Sequence, residues 1–298
     1  MKPVDGVIVL DKPSGITSYR AVERVGRVFR GKKCGHAGTL DPIATGVLPV
    51  CVGRATKIAG YLASQEKEYD VSFRVGVETD TGDSTGRQIA ANPGKYAQED
   101  AVRATVAGLV GEWEQVPPDY SAIKVAGTRA YALARQGKPV DLAGRKVKVY
   151  EARVLSWSPE GFRAFLRSSK GFYVRALARD LGSLLGVSMH VSGLRRLRSG
   201  PFRIEESIPL ADLVEAGKRG EAHDLLVPIE RALAGFPRRE VPAEAAAAVR
   251  QGRSPARWLE GRAGVRDGEV VLLTSGEEGP VALVTRSPSG EWKIVRGI

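Results

Sequence analysis

Residues 35–49, which read GHAGTLDPIATGVLP, constrain the local fold of this 298-residue chain more than any other segment. Glycines at positions 35, 38 and 46 let the backbone turn where side chains would clash, and Pro42 biases the residue before it toward an extended conformation. The pattern predicts a loop that displays the carboxylate of Asp41. An Asp-Pro pair is also a common way to begin a turn, so the loop alone assigns no role to Asp41.

The charge of the chain indicates a polyanionic partner. Forty-five Lys and Arg residues against 34 Asp and Glu give a formal charge of +11 at pH 7, which favours nucleic acid first and an anionic membrane surface second. The longest apolar runs, such as residues 7–10, are far shorter than the roughly 20 residues that a membrane-spanning helix needs. No secretory signal is visible at the amino end. We therefore expect a cytoplasmic protein without membrane contact.

Two cysteines and a histidine raise the question of a metal site. Cys34, His36 and Cys51 could offer three ligands, but no paired Cys-x-x-Cys and no His-x-Glu stands beside them, as a zinc deaminase would require. We therefore expect no metal. Two cysteines also cannot build a disulfide framework, which agrees with a reducing compartment.

Hydrophobic periodicity predicts helices and strands in the first part of the chain. Residues 18–30 are predicted to form a helix with a basic face, which is either a solvated surface or a phosphate contact. Gly186 can cap a second helix at residues 172–185. A third helix is predicted at 101–110, strands at 69–75 and 146–154, and a basic strand or loop rim at 194–198.

The character of the chain changes near Phe236. An alanine-rich helix at 243–250 is followed by three β candidates, at 269–274, 281–286 and 291–296, with turns between them. From Phe236 onward ten basic and eight acidic residues give +2, so the preceding part carries +9 of the charge. The pattern predicts two domains, residues 1–235 and residues 236–298.

The chain resembles the tRNA pseudouridine-55 synthase family. Segment 35–49 is similar to the active-site loop of that family, and four further segments resemble family motifs in the same order. They are LDKPSGITS at 10–18, KEYDVSFRVGVETDTGD at 67–83, QVPPDYSAIKVAGTRAYALAR at 115–135 and KGFYVRALARDLG at 170–182. The resemblance implies an α+β fold: a catalytic domain with a largely antiparallel sheet, then a small β-rich PUA-like module that binds RNA.

The resemblance also implies an activity, the isomerisation of the T-loop uridine 55 of tRNA to pseudouridine. The uridine is flipped out, its C1′–N1 bond breaks, and the base is reattached through C5. Because this reaction has no net redox change and transfers no external group, no cofactor is expected. We expect a monomer whose partner is tRNA.

By the same resemblance, Asp41 is the catalytic nucleophile and Arg175 pairs with it. The sequence leaves open whether Asp41 attacks C1′, attacks C6 or removes a sugar proton. Tyr69 would stack on the uracil with its hydroxyl near C5, although an inward tyrosine in an alternating strand is more often a core residue. His36 would fill the space that the flipped base leaves. Tyr173 and Leu194 are predicted to line the pocket.

Basic residues near these motifs are predicted to contact the RNA backbone. Lys12 either buttresses the Asp41 loop or contacts phosphate. The predicted phosphate contacts are Lys12, Lys124, Arg129, Arg145, Lys146, Arg195 and Arg196.

Three other functions are compatible with parts of the sequence. A guide-RNA-dependent relative would perform the same chemistry on another target. A non-catalytic RNA-binding or folding protein would account for the charge alone. A hydrolase could pair Asp41 with Asp80 or Asp83 and would release the free base.

Overall fold

The structure is a computed structural model. It describes residues 4–92, 94–121, 123–125, 127–134, 136–138, 140–259, 265–276 and 279–298. The strands are β1 (Gly6–Lys12), β2 (Cys34–His36), β3 (Thr45–Val52), β4 (Lys67–Val75), β5 (Val77–Thr79), β6 (Gln88–Ala91), β7 (Gly111–Gln115), β8 (Lys124–Val125), β9 (Thr128–Arg129), β10 (Arg145–Ser158), β11 (Gly161–Ser168), β12 (Met189–Ser199), β13 (Phe202–Arg203), β14 (Ile208–Pro209), β15 (Arg238–Glu240), β16 (Val270–Ser275), β17 (Gly279–Arg286) and β18 (Trp292–Gly297). The α-helices are α1 (Ser18–Val28), α2 (Ala59–Ala63), α3 (Glu99–Ala107), α4 (Ala130–Ala134), α5 (Val174–Leu185), α6 (Leu210–Arg219), α7 (Ile229–Ala232), α8 (Ala243–Arg250) and α9 (Ala256–Leu259).

Ten strands of the described chain form one large sheet in the order β14-β1-β3-β12-β4-β11-β10-β7, with β13 paired to β12 and β2 paired to β3. The pairings are antiparallel except β1 with β14 and β3 with β12. The fold is therefore α+β with a largely antiparallel sheet, as predicted. Strand β12 lies between β3 and β4, and its Arg196 is in register with Gly46 on one side and with Tyr69 on the other.

Strand β4 shows why the sheet has a buried face. Tyr69, Val71 and Phe73 alternate with more exposed polar residues, and all three are buried in the main apolar core. Helices α1, α3 and α5 contribute buried residues to the same core. Burial of this face supplies the main driving force for the arrangement.

The predicted helices are present, with small shifts at their ends. Helix α1 begins after Thr17, whose side chain accepts a hydrogen bond from the Arg20 amide, and it ends at Val28 rather than residue 30. Helix α3 begins at Glu99, two residues before its predicted start, because Glu99 and Asp100 stabilise the first turn. Helix α5 ends at Leu185 and is capped by Gly186, whose φ of 67° is the left-handed conformation predicted for this cap.

The carboxy-terminal residues form a second sheet in the order β15-β16-β17-β18. The three predicted strands are confirmed, and a short parallel strand, β15, joins them. Leu272 and Leu283 of this sheet are buried together with Val7 and Val9 of β1. The two sheets therefore share an apolar cluster, and the division at residues 235 and 236 stays a prediction. In the part of the chain that the structure describes, no helix has the length and apolar character needed to cross a membrane.

Candidate active site

The carboxylate of Asp41 is held by the guanidinium of Arg175. Arg175 Nε donates to Asp41 Oδ2 at 2.9 Å, and Arg175 Nη2 donates to Asp41 Oδ1 at 3.0 Å. Two parallel bonds of this kind fix both the position and the orientation of a carboxylate. The Arg175 side chain is 6% exposed and that of Asp41 is 31% exposed. The pair therefore presents its carboxylate, not its cation, to an incoming ligand.

Further contacts fix Arg175. Its Nη1 donates to the carbonyl of Thr81 at 2.9 Å, and its Nη2 donates to that of Tyr120 at 2.8 Å. The carboxylate of Asp83 lies 3.7 Å from its Nε. Arg175 lies in the first turn of α5, where the helix dipole disfavours a cation. Two carboxylates and two carbonyls compensate for that cost.

The loop around Asp41 needs two of its three glycines. Gly38 and Gly46 have φ values of 115° and 98°, a region that residues with side chains rarely adopt. A Cβ atom on Gly46 would also lie 2.2 Å from the backbone oxygen of Arg196. Gly35, in contrast, lies in β2 and pairs with Cys51. The loop turns at residues 38 and 46, and Asp41 is displayed between them.

Asp41 opens into a cavity of about 240 Å³. Tyr69, Tyr173 and Leu194 line this cavity together with Asp41 and Arg175. The volume lies just below the roughly 300–1,000 Å³ of pockets for drug-sized ligands, so it suits a group of about nucleoside size. Residues that the sequence analysis took from separate segments therefore meet around one cavity.

Tyr69 belongs both to the core and to the cavity wall. It is buried within the main apolar cluster, as an inward residue of an alternating strand should be. It also lines the cavity, and it is in register with Arg196 of β12, which lines the same cavity. Burial raises the pKa of Tyr69, and the guanidinium of Arg196 opposes that rise. Tyr69 is thus a protonated phenol near neutral pH.

Tyr173 is held at the start of α5 by a side chain that the sequence analysis did not single out. Its amide donates to Gln115 Oε1 at 2.8 Å, and Gln115 Nε2 donates back to its carbonyl at 3.1 Å. Gln115 is buried at the end of β7. Gln115 is the first residue of the segment QVPPDYSAIKVAG, which resembles a family motif. That resemblance is the sequence feature that could have drawn attention to Gln115.

The prediction that Arg196 contacts phosphate is not supported, because Arg196 is only 1% exposed. Its Nε donates to the carbonyl of Val47 at 2.7 Å, and Nη1 and Nη2 each donate at 3.1 Å, to those of Thr39 and Gly38. The sequence analysis treated the basic residues at 194–198 as one group. In a β-strand, however, neighbouring side chains point to opposite faces, so Arg196 is buried while Arg195 is partly exposed. Arg196 lines the cavity around Asp41.

Lys12 is likewise buried, and its phosphate contact is not supported. The ammonium donates to the carbonyls of Pro13 at 2.8 Å and Ile16 at 2.9 Å, and Pro42 O lies 3.5 Å away. Burial lowers the pKa of Lys12 to about 8. These contacts correspond to the alternative role, in which Lys12 buttresses the loop that follows Asp41.

His36 lies outside the cavity lining formed by the described residues. It ends the short strand β2, pairs with Val50 of β3, and precedes Asp41 by five residues. Its Nδ1 is buried and makes no hydrogen bond within the described part of the chain. Burial, reinforced by Arg196, lowers the pKa of His36, so the ring is neutral at pH 7.

The other predicted phosphate contacts lie on the surface. Lys124, Arg129, Arg145 and Lys146 are exposed. Arg195 is 42% exposed and donates to Asp11 at 2.8 Å. Its charge is therefore partly neutralised within the protein.

Lys67 is a buried cation that the sequence analysis missed. It lines the cavity, and its ammonium donates to the carbonyl of Gln65 at 2.5 Å and to that of Ala63. Burial, followed by the charges of Arg196 and Lys170, lowers the pKa of Lys67 to about 8. Its burial could have been predicted from its position two residues before Tyr69, because residues two apart in a β-strand lie on the same face.

The acidic residues considered as partners of Asp41 have other roles. Asp83 is buried, and its Oδ1 accepts hydrogen bonds from the hydroxyl of Thr81 and the amide of Thr85, each at 2.9 Å. Asp80 Oδ1 accepts from the amide of Arg87 at 2.8 Å. Both carboxylates thus stabilise the turn after β5. Among the described residues, no group of three or more His, Cys, Asp or Glu side chains is arranged to hold a metal ion.

Comparison with known proteins matches this chain to one class, the pseudouridylate synthases. Residues 26–174 match the N-terminal domain of the TruB family pseudouridylate synthases, and residues 175–234 match the C-terminal domain of tRNA pseudouridylate synthase B. The chain belongs to the TruB family.

Individual relatives extend the similarity over most of the chain. It is 45% identical over 254 residues to the tRNA pseudouridine synthase B of Chromohalobacter salexigens, covering 84% of this chain and 81% of the relative. It is 41% identical over 298 residues to that of Thermobifida fusca, covering 95% and 99%. A chain in the crystal structure of a Cbf5-Nop10-Gar1 complex is 28% identical and superposes with a TM-score of 0.78, covering 100% of this chain and 86% of that one.

Proposed function

We propose that this pseudouridylate synthase isomerises uridine 55 in the T-loop of tRNA to pseudouridine, with Asp41 as the catalytic nucleophile. Relatives that are 40–45% identical are named tRNA pseudouridine synthase B, which supports tRNA as the substrate. The observation that carries the role of Asp41 is its bidentate pairing with Arg175 at the wall of a nucleoside-sized cavity.

The pairing suits an ionised carboxylate that reacts with a sugar or a base. A neighbouring guanidinium favours the charged form of a carboxyl and restricts its rotation, so attack begins from one orientation. The exposed side of the carboxylate faces the cavity, where the flipped nucleoside would be bound. Attack at C1′, attack at C6 and removal of a sugar proton all start from this geometry.

The remaining cavity residues suit the steps that follow. When the C1′–N1 bond breaks, the base must stay enclosed until C5 bonds to C1′, and the proton on C5 must leave while N1 gains one. The ring of Tyr69 and the side chain of Leu194 offer apolar surface for the base. The hydroxyl of Tyr69 is a polar group in the cavity lining that could assist transfer of the C5 proton.

A stacked loop uridine must first be extruded, at a cost of a few kcal/mol. We place the neutral ring of His36 at the gap that the base leaves, because His36 lies close to Asp41 in the chain but outside the cavity lining. Lys124, Arg129, Arg145, Lys146 and Arg195 supply cations for the RNA backbone. We further propose that the enzyme acts as a cytoplasmic monomer.

The test is tritium release from an unmodified tRNA transcript labelled at uracil C5, with purified protein, EDTA and no guide RNA. Release confined to the T-loop uridine is expected from the wild type and not from Asp41→Asn, which should bind tRNA within severalfold of the wild type. Turnover by Asp41→Asn would contradict the role of Asp41. Activity that requires a guide RNA would favour the guide-dependent alternative, and free uracil among the products would favour a hydrolase.

A further inference from the structure

Arg196, which the sequence analysis predicted to contact phosphate, is buried beside the cavity and hydrogen-bonded to the Asp41 loop. It is the largest of the fully buried side chains in the described part of the protein. Three of its nitrogen atoms donate to three different backbone carbonyls, at 2.7–3.1 Å, and Arg196 lines the cavity together with Tyr69. A buried cation is tolerated only when its donors find partners of this kind.

The three carbonyls lie on both sides of Asp41 in the chain. Gly38 and Thr39 precede Asp41, and Val47 follows it after the second turn of the loop. One rigid, planar group therefore fixes the beginning and the end of the segment that carries the carboxylate. An ammonium could not do the same, because a lysine has no planar fork of donors at fixed angles.

Arg196 also meets Tyr69 across the sheet, and both side chains line the cavity. Burial raises the pKa of Tyr69, and the positive charge of Arg196 lowers it and so opposes the effect of burial. Arg196 and Tyr69 are directly opposite each other on β12 and β4, which places their side chains next to each other on one face of the sheet.

We propose that Arg196 is a positioning residue for the isomerisation. Arg196 connects the Asp41 loop to Tyr69, so the Asp41 carboxylate and the Tyr69 hydroxyl keep a fixed relative position. The first is placed for cleavage of the C1′–N1 bond, and the second for removal of the C5 proton. The inference rests on the proposed function, since it gives both side chains their roles in that reaction.

The test compares the wild type with Arg196→Lys and with Arg198→Lys as a matched control. Arg198 lies two residues further along β12, pairs with Glu68 at 2.7 Å and lies outside the cavity lining. We measure single-turnover tritium release from tRNA, the dissociation constant for tRNA, and the rate with deuterium at uracil C5. Circular dichroism and thermal unfolding report on folding.

Arg196→Lys is expected to slow the single-turnover step by about 100-fold, as misplacement of a reacting group by about 1 Å can do. Its tRNA affinity should stay within about threefold of the wild type, and Arg198→Lys should retain its rate within the same factor. The C5 deuterium isotope effect should be larger in Arg196→Lys, because removal of that proton becomes slower relative to the other steps. An inactive, misfolded fraction would lower the rate but leave the isotope effect unchanged.

A double variant separates positioning from general destabilisation. If Arg196 acts through Tyr69, then Arg196→Lys combined with Tyr69→Phe should lose less activity than the product of the two single losses. Strictly multiplicative losses with an unchanged isotope effect would overturn the inference, as would a rate within about threefold of the wild type. No T-loop release by the wild type would instead refute the proposed function itself.

Discussion

The hydroxyl of Ser18 is bonded in both directions to the backbone of Leu40. It donates to the Leu40 carbonyl at 2.9 Å and accepts from the Leu40 amide at 2.8 Å. Ser18 is the first residue of α1, and Leu40 immediately precedes Asp41. Both groups are buried, so a single hydroxyl satisfies two backbone atoms that no water reaches. The start of a basic surface helix is thereby attached to the loop that carries the carboxylate.

Replacing Ser18 with Ala should destabilise the protein by about 2 kcal/mol. The change leaves a buried N–H and a buried C=O without partners, and each such group costs about 1–3 kcal/mol before the loop relaxes. Urea unfolding followed by circular dichroism measures the free energy of unfolding.

Ser14→Ala is the matched control for this substitution. Ser14 also bonds to the same loop, through a 3.2 Å contact with the carbonyl of Ile43, but in an exposed position. Solvent can replace that bond, so the loss should stay below about 0.5 kcal/mol. Equal effects of the two variants would show that burial of the Ser18 contact does not matter.

Replacing Arg175 with Lys should abolish most turnover although the charge is kept. A lysine can make one bond to Asp41 but cannot reproduce the fork that also reaches Thr81 and Tyr120. We expect kcat to fall by about 100-fold or more, with tRNA affinity little changed. Arg179→Lys, one turn along α5, is the control, because Arg179 is exposed and pairs with Asp180. A similar loss in both variants would point to a general effect on the helix.

Much of this site could be predicted from the sequence. Periodicity located β4 and α5, and the glycines and proline around Asp41 predicted its loop. The pairing with Arg175 came from the resemblance to a family motif. These features are local patterns or motifs within one segment, and both can be identified without knowing which strands pair.

The roles of Lys12, Lys67 and Arg196 could not be predicted in the same way. Each is a cation in a sequence that suits a surface, yet each is buried against backbone carbonyls of another segment or turn. Arg196 is buried because β12 lies between β3 and β4. Hydrophobic periodicity predicts a strand but does not predict which distant strands pair with it. For two of the three, Lys12 and Arg196, the sequence predicts a phosphate contact, and the structure buries both side chains.

The stability of the protein should depend on pH through Lys67. Its pKa is about 8 in the folded protein against an ordinary value of 10.5, so between these values the unfolded chain binds a proton that the folded protein has lost. The free energy of unfolding contributed by Lys67 therefore rises with pH from about 8 to about 10.5 and is constant on either side.

The comparison with Lys67→Met isolates this dependence, since every other group titrates in both proteins. We expect the free energy of unfolding of the wild type, minus that of Lys67→Met, to increase across this window. Urea unfolding at pH 7, 8, 9, 10 and about 11 measures the difference. A difference that stays flat would mean that Lys67 titrates alike in the folded and unfolded states.

The predicted RNA contacts should differ in their response to salt. Lys146 is exposed and forms no ion pair within the described residues, whereas Arg195 is partly neutralised by Asp11 at 2.8 Å. A cation that contacts phosphate releases a counterion, so its removal reduces the slope of log K against log salt by about 0.7–0.9. We expect Lys146→Ala to show this full change and Arg195→Ala a smaller one, because Arg195 must leave Asp11 to contact RNA.

Filter binding of tRNA between 50 and about 300 mM KCl measures both slopes. An unchanged slope for Lys146→Ala would remove that residue from the RNA contact surface, and a larger change for Arg195→Ala would show that its pairing with Asp11 breaks on binding.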